Sequence, residues 1–158
     1  MNERTDLALE RVLNAPRHRV WQAWTEPERL KKWWCPRPWR VEECRIDLKP
    51  GGELYTLMRG PGAGEEHALS GCYLELVENE RIVFTLVLEK GYRPVPVGQG
   101  AFRFTAKISF SEAGDGKTLY RAHLMHAEEA DRDAHARIGF HEGGAAAAAQ
   151  LDELLSAA

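Results

Sequence analysis

Apolar positions recur along this chain at two different periods, and the change of period separates a strand-rich body from a helical end. From Glu128 to Leu155 the spacing is three and four residues, which places Ile138, His141, Ala145, Ala148, Leu151 and Leu155 on one helical face. The pattern predicts one long helix, or two collinear pieces, laid across a curved antiparallel sheet. Its C-terminal end is bulky, with Leu151, Leu154 and Leu155. Its middle is nearly bare, with Gly139, Gly143, Gly144 and the alanines from Ala145 to Ala149. A glycine inside a helix costs about 1 kcal/mol relative to alanine. Three in so short a span point to a kink, a close approach to the sheet, or space kept for something else.

Upstream, Asp6 to Leu13 reads as a strand that stops at Asn14-Ala15-Pro16. Pro16 suits the first turn of a helix, and Val20, Ala23 and Trp24 give that helix an apolar stripe. Thr25-Glu26-Pro27-Glu28 has the capping hydroxyl, proline and glutamate of a second helix start, running through Leu30 to about Trp33. From Trp39 to His126 the period is that of strands. Val41, Cys44, Ile46 and Leu48 share a face only if an extra residue sits near Glu42-Glu43, so a bulge is expected there. Leu54–Arg59, Leu69–Val77 and Ile82–Glu89 follow, separated by turn sequences. Gly91 to Gly100, rich in proline and glycine, is expected to be a mobile lip. Phe102, Phe104, Ala106, Ile108 and Phe110 alternate inward against polar neighbours, and Gly114-Asp115-Gly116 turns the chain into a last strand, Thr118 to His126. The predicted fold is α+β: a curved six- to seven-stranded antiparallel sheet around a long C-terminal helix, with two short helices after the first strand. Only that last helix is long enough to cover the apolar face, and such an arrangement tends to leave a hollow.

The totals narrow the class. At 158 residues, 44% hydrophobic and 28% charged, the chain reads as one domain spanning residues 1–158 with a core of its own. A net charge of −3 argues against nucleic acid as the main partner. No apolar run reaches the roughly 20 residues of a membrane span, and the charged N-terminus lacks the apolar core of a signal peptide. Cys35, Cys44 and Cys72 are odd in number and lack paired ligand spacing, which suits reduced thiols in a cytoplasm.

Several stretches together resemble the SRPBCC (START-like, helix-grip) superfamily, and within it the branch named after the activator of the heat-shock protein 90 ATPase. They are Arg11-Val12-Leu13-Asn14-Ala15-Pro16, Val20-Trp21-Gln22-Ala23-Trp24-Thr25 and Lys32-Trp33-Trp34, followed by Asp47-Leu48-Lys49-Pro50-Gly51-Gly52. Gly71 to Leu76, Glu80 to Thr85, Gly116-Lys117-Thr118 and Gly139 to Gly143 with Gln150-Leu151 complete the set. The resemblance implies the helix-grip fold. The functions it implies range over lipid carriers, hormone and allergen binders, polyketide aromatase/cyclases and chaperone cofactors, so fold alone does not choose among them. Two positions depart from the pattern of close relatives: Ala127 and Gly144 stand where a tryptophan is expected. The missing indoles leave three outcomes: neighbours such as Phe140 and Met125 swinging in, a homodimer that covers the gap, or an enlarged pocket. The bare run from Gly144 to Ala149 favours the enlarged pocket, with the homodimer next.

Candidate chemistry is sparse. His123, His126, His135 and His141 cluster in sequence, but no helical metal spacing connects them, and hydrogen bonding at the strand-to-helix junction is the favoured role, with no metal and no cofactor expected. Glu75 shares strand parity with Gly71 and Tyr73. Pointing into an apolar hollow it would serve as an acid or base, and a solvent-facing position or a buried pair with an arginine such as Arg45 is the plainer alternative. Arg29 to Arg40 mixes basic residues with Trp33, Trp34 and Trp39, read as indoles closing one end of the core inside a solvated basic rim. The pocket walls are expected to be Trp24, Trp33, Leu54, Met58, Tyr73, Phe84, Phe102, Phe104, Met125, Phe140 and Gly144. The function that follows is binding of a small hydrophobic or aromatic molecule. The alternatives are a cyclase- or hydrolase-like enzyme using Glu75 or His123, and a stress-response chaperone cofactor implied by the family name alone.

Overall fold

In the computed structural model, which describes residues 1–96 and 103–156, strand β1 (Asp6–Leu13) leads into helices α1 (Arg17–Thr25) and α2 (Pro27–Leu30). Strands β2 (Arg40–Ile46), β3 (Glu53–Arg59), β4 (Glu66–Val77) and β5 (Arg81–Thr85) follow. A two-residue pair, β6 (Leu88–Glu89) and β7 (Arg93–Pro94), precedes β8 (Thr105–Glu112) and β9 (Thr118–Met125). Helices α3 (Glu129–Arg137) and α4 (Phe140–Ser156) end the chain. Seven strands form one antiparallel sheet in the order β1-β9-β8-β5-β4-β3-β2. This is the helix-grip α+β architecture. Of the expected lip, residues 91–96 form a turn and β7, and the rest of that stretch, with Phe102, lies outside the described residues.

Alternation decides which side chains enter the core. On β9, Thr118, Tyr120, Ala122 and Leu124 are buried, while Leu119, Arg121, His123 and Met125 face the other way. On β8, Ala106, Ile108 and Phe110 are buried as the pattern predicts. The bulge near Glu42 is present, where the β2–β3 register steps from Val41 to Glu43. A second bulge, not legible from the pattern, lies on β4: Tyr73 pairs with Phe84, but Glu75 pairs with Val83, which leaves Leu74 as the extra residue. One inserted residue inverts every later side chain on the strand.

The helical end differs from a continuous rod. The chain breaks at Ile138 and Gly139, where Gly139 takes φ of +100°, a left-handed conformation that glycine adopts without strain. The break resets the helical phase. Ala148, Leu151 and Leu155 are buried as expected, but Ile138 is 68% exposed and His141 and Ala145 face solvent. Thr25 also behaves differently from its cap-like sequence: its hydroxyl donates back to the Trp21 carbonyl at 2.8 Å, and Glu26 occupies the start of α2 without a side-chain cap.

Gln150, buried on α4, ties this helix to the connector between α2 and β2. Its Oε1 accepts from the Arg37 N–H at 2.9 Å, and its Nε2 donates to the carbonyls of Trp33 at 3.2 Å and Cys35 at 2.9 Å. One amide thus pairs with three backbone groups, two of them buried carbonyls that would otherwise lack this partner. The Trp33-Trp34 segment is held against α4 as a result.

Candidate functional site

Between the sheet and α4 lies a cavity of about 320 Å³, at the lower end of the range for small-molecule pockets. The helix contributes Gly143, Gly144, Ala147 and Ala148, side chains too small to reach the sheet. The sheet contributes Leu9, Phe84, Phe104 and the buried row Tyr120, Ala122 and Leu124. Trp33, Trp34, Cys35 and Pro36 close one end, the segment that Gln150 anchors. Aromatic contacts run continuously along the wall. Trp24 meets Trp33 and Trp34, each at 5.2 Å between ring centroids, and Phe84 at 6.3 Å. Phe84 meets Phe104 at 6.5 Å, which meets His135 at 5.1 Å, which meets Phe140 at 5.5 Å. No Asp, Glu, Lys or Arg is among the described lining residues.

Of the expected wall residues, Trp24, Trp33, Met58, Phe84, Phe104, Phe140 and Gly144 line this cavity. Leu54 and Tyr73 do not: both are fully buried in the core below it. Met125 does not either, because it projects from the opposite face of β9. Gly144 is a close approach rather than an opening, since a Cβ there would meet Leu9 Cδ2 within contact distance. Leu9 occupies the space expected of a missing indole. The room lies one residue earlier, at Gly143, where the nearest atom to an added Cβ is Pro36 Cγ at 4.0 Å. The Tyr120, Ala122 and Leu124 row was missed, although Arg121 between them marks the outward parity.

The two candidate catalytic residues are elsewhere. The β4 bulge turns Glu75 outward, where it is half exposed and paired with Arg81. That hydrogen bond holds its carboxyl below the usual range, the reverse of a buried acid. His123 also sits on the outer face of the sheet, its Nε2 2.8 Å from the Asp6 carboxylate. Burial by itself would raise the pKa of Asp6, but hydrogen bonds from His123, the Asn2 N–H and Thr5 outweigh it and leave the carboxyl below its ordinary value. The Arg29 to Arg40 patch forms indole wall and paired rim: Arg29 bonds Glu26, Lys31 bonds Glu28 and Arg37 bonds Glu153.

At the α3 end, His126 and His135 form a hydrogen-bonded pair. His126 Nδ1 lies 2.8 Å from the Thr5 carbonyl, which only accepts, so Nδ1 carries a proton. In neutral His126 the other nitrogen is then unprotonated, and His135 Nδ1 donates to it at 2.9 Å. Burial, with a smaller contribution from His126, lowers the His135 pKa to about 4. His141 is exposed and takes no part. Among the described residues no three His, Cys, Asp or Glu side chains converge as a metal-ligand set, and all three cysteines are free thiols. Burial pushes the Cys44 thiol up to about 11.

The His135 shift has a consequence for stability. Between the ordinary imidazole pKa of 6.5 and the folded value of about 4, the unfolded chain takes up a proton that the folded chain refuses. Stability should therefore fall as pH drops through that window, by about 1–2 kcal/mol after allowing for solvent screening of a partly buried ring. Denaturant unfolding at neutral and mildly acidic pH measures it, and His135→Phe should flatten the slope. An unchanged slope would mean that other groups carry it. Asp6 acts further down the scale: its contribution holds above the ordinary carboxyl pKa and is lost as pH falls through the lowered folded value.

Residues 14–156 match the family model described as activator of Hsp90 ATPase homolog 1-like protein. Among solved structures, protein NE0264 from Nitrosomonas europaea is 42% identical, superposes with a TM-score of 0.91, and matches over 99% of this chain and 97% of its own. A protein from Mycobacterium smegmatis, Ms6760, is 26% identical with a TM-score of 0.81, over 99% of this chain and 93% of that one. A homolog 1-like protein from Aeromonas hydrophila shares the fold at 16% identity and a TM-score of 0.71, over 96% and 92% of the two chains. No curated protein matches the chain. With a family model covering nearly all of the sheet and both terminal helices, the chain belongs to the activator of Hsp90 ATPase homolog 1-like family of the SRPBCC superfamily.

Proposed function

We propose that the protein binds a small hydrophobic or aromatic molecule in the cavity between the sheet and α4. The observation that carries this reading is a largely apolar cavity of about 320 Å³, with no Asp, Glu, Lys or Arg among its described lining residues and with glycine and alanine on its helical wall. The cavity opens to solvent, so an apolar occupant is favoured because it displaces water from apolar walls and supplies the packing contacts they lack. Membership of a superfamily in which hydrophobic ligands are common points the same way.

Neither alternative function gains a supporting observation. An enzyme acting through Glu75 or His123 would need those groups in the cavity, and both face away from it. The chaperone-cofactor reading rests on the family name. Native mass spectrometry of freshly purified protein tests the proposal: a co-purified small molecule, released on denaturation, is expected. A panel of aryl esters and thioesters should show no turnover above buffer, and a rate abolished by Glu75→Gln would replace binding with catalysis.

A further inference from the structure

One polar group carried by a lining residue of the cavity is the hydroxyl of Tyr120. The residue is 4% exposed, projects inward from β9 and lines the cavity, with its ring stacked on Phe110 at 6.2 Å and 12°. Among the described residues the side chain that approaches its oxygen is Trp24, whose indole N–H does not close to a full hydrogen bond. An indole N–H donates and cannot accept. The hydroxyl hydrogen therefore has no side-chain acceptor among the described residues, and the oxygen is already approached by a donor. The neighbouring Trp33 N–H is committed to the Ala23 carbonyl at 3.0 Å. No hydrogen bond of this hydroxyl to the protein is present among the described residues, and the residue lines the cavity, so an acceptor on a cavity occupant would complete it.

We infer that the natural ligand is a neutral, mainly aromatic or aliphatic molecule carrying a carbonyl-type acceptor, and that it binds with this oxygen on the Tyr120 hydroxyl. The inference rests on the cavity being a ligand site, as proposed above, and adds the chemistry that selects the ligand. A carboxylate is disfavoured because no cationic side chain is among the described lining residues, and an unpaired charge in apolar surroundings is heavily penalised. Burial raises the Tyr120 pKa, so the phenol stays protonated and donates. A pure hydrocarbon would fill the space and leave the donor orphaned. The discrimination expected is that of a buried donor meeting, or failing to meet, its acceptor.

The test uses two neutral probes of nearly the same shape, a naphthyl ketone and its counterpart with the carbonyl reduced to methylene, titrated into wild type and Tyr120→Phe. Wild type is expected to prefer the ketone by about five- to tenfold, and Tyr120→Phe to lose that preference while retaining the hydrocarbon. As a reading independent of the variant's folding, the infrared carbonyl stretch of the wild-type-bound ketone should move to lower frequency than in hexane. If both probes bind wild type equally and the stretch is unshifted, the Tyr120 assignment is wrong while the cavity reading stands. If neither probe binds, the cavity reading fails, and this inference with it.

Discussion

Replacing Gln150 with alanine should destabilise the protein by about 3 kcal/mol and lower its melting temperature by roughly 6–12 °C. The magnitude follows from what the amide does. It accepts from one backbone N–H and donates to two backbone carbonyls, all on the segment from Trp33 to Arg37. Alanine would leave these groups without their partner and open a gap that water fills only if the connector swings away from α4. The same segment supplies Trp33, Trp34, Cys35 and Pro36 to the cavity, so ligand affinity should fall with stability. Gln150→Glu separates donor from acceptor. A carboxylate still accepts from Arg37 but faces two carbonyls it cannot satisfy, so the variant should be as unstable as alanine at neutral pH and partly recover in acid, when the carboxyl is protonated. A loss under 1 kcal/mol for Gln150→Ala would show that the connector is held by its indoles alone.

Gly143→Phe should abolish binding of hydrophobic probes, by at least about tenfold, without loss of stability. Nothing lies closer than 4.0 Å to an added Cβ at this position, and the side chain would enter the cavity from its helical wall. Phenylalanine is also a better helix former than glycine by a few tenths of a kcal/mol, and its ring would bury apolar surface now facing empty space. Overpacking a site that is already full usually costs 1–3 kcal/mol, so the sign of the stability change discriminates. Gly144→Phe is the comparison: there an added Cβ meets the terminal methyl of Leu9, so the ring enters only as that side chain turns aside, and a smaller stability than that of Gly143→Phe is expected. Thermal melts of the two variants beside wild type make the comparison.

Much of the architecture was legible because period is a local property. Alternation on β8, the Glu42 bulge and the small-residue middle of the last helix could each be read from a few neighbouring residues, and each is present. What failed depended on single insertions that change phase. The extra residue at Leu74 turned Glu75 from the cavity to the surface, and no turn residue or glycine signals it. Gly139 reset the helix by its left-handed φ, so the stripe drawn through Ile138, His141 and Ala145 was continuous in sequence and not in space. Met125 was placed inward although Arg121, at the same parity, indicates the solvent side. Leu9 at Gly144 was invisible for a different reason: a contact between the first strand and the last helix leaves no trace in local spacing.

The central claim, that the space between the sheet and α4 is a ligand site, is most directly tested by titration calorimetry with a neutral naphthylamine probe. Wild type should bind it saturably, one to one, with a negative heat-capacity change from apolar burial, and Gly143→Phe should give no heat beyond dilution while melting no lower than wild type. Absence of saturable binding to wild type, or equal binding to both proteins, would contradict the account.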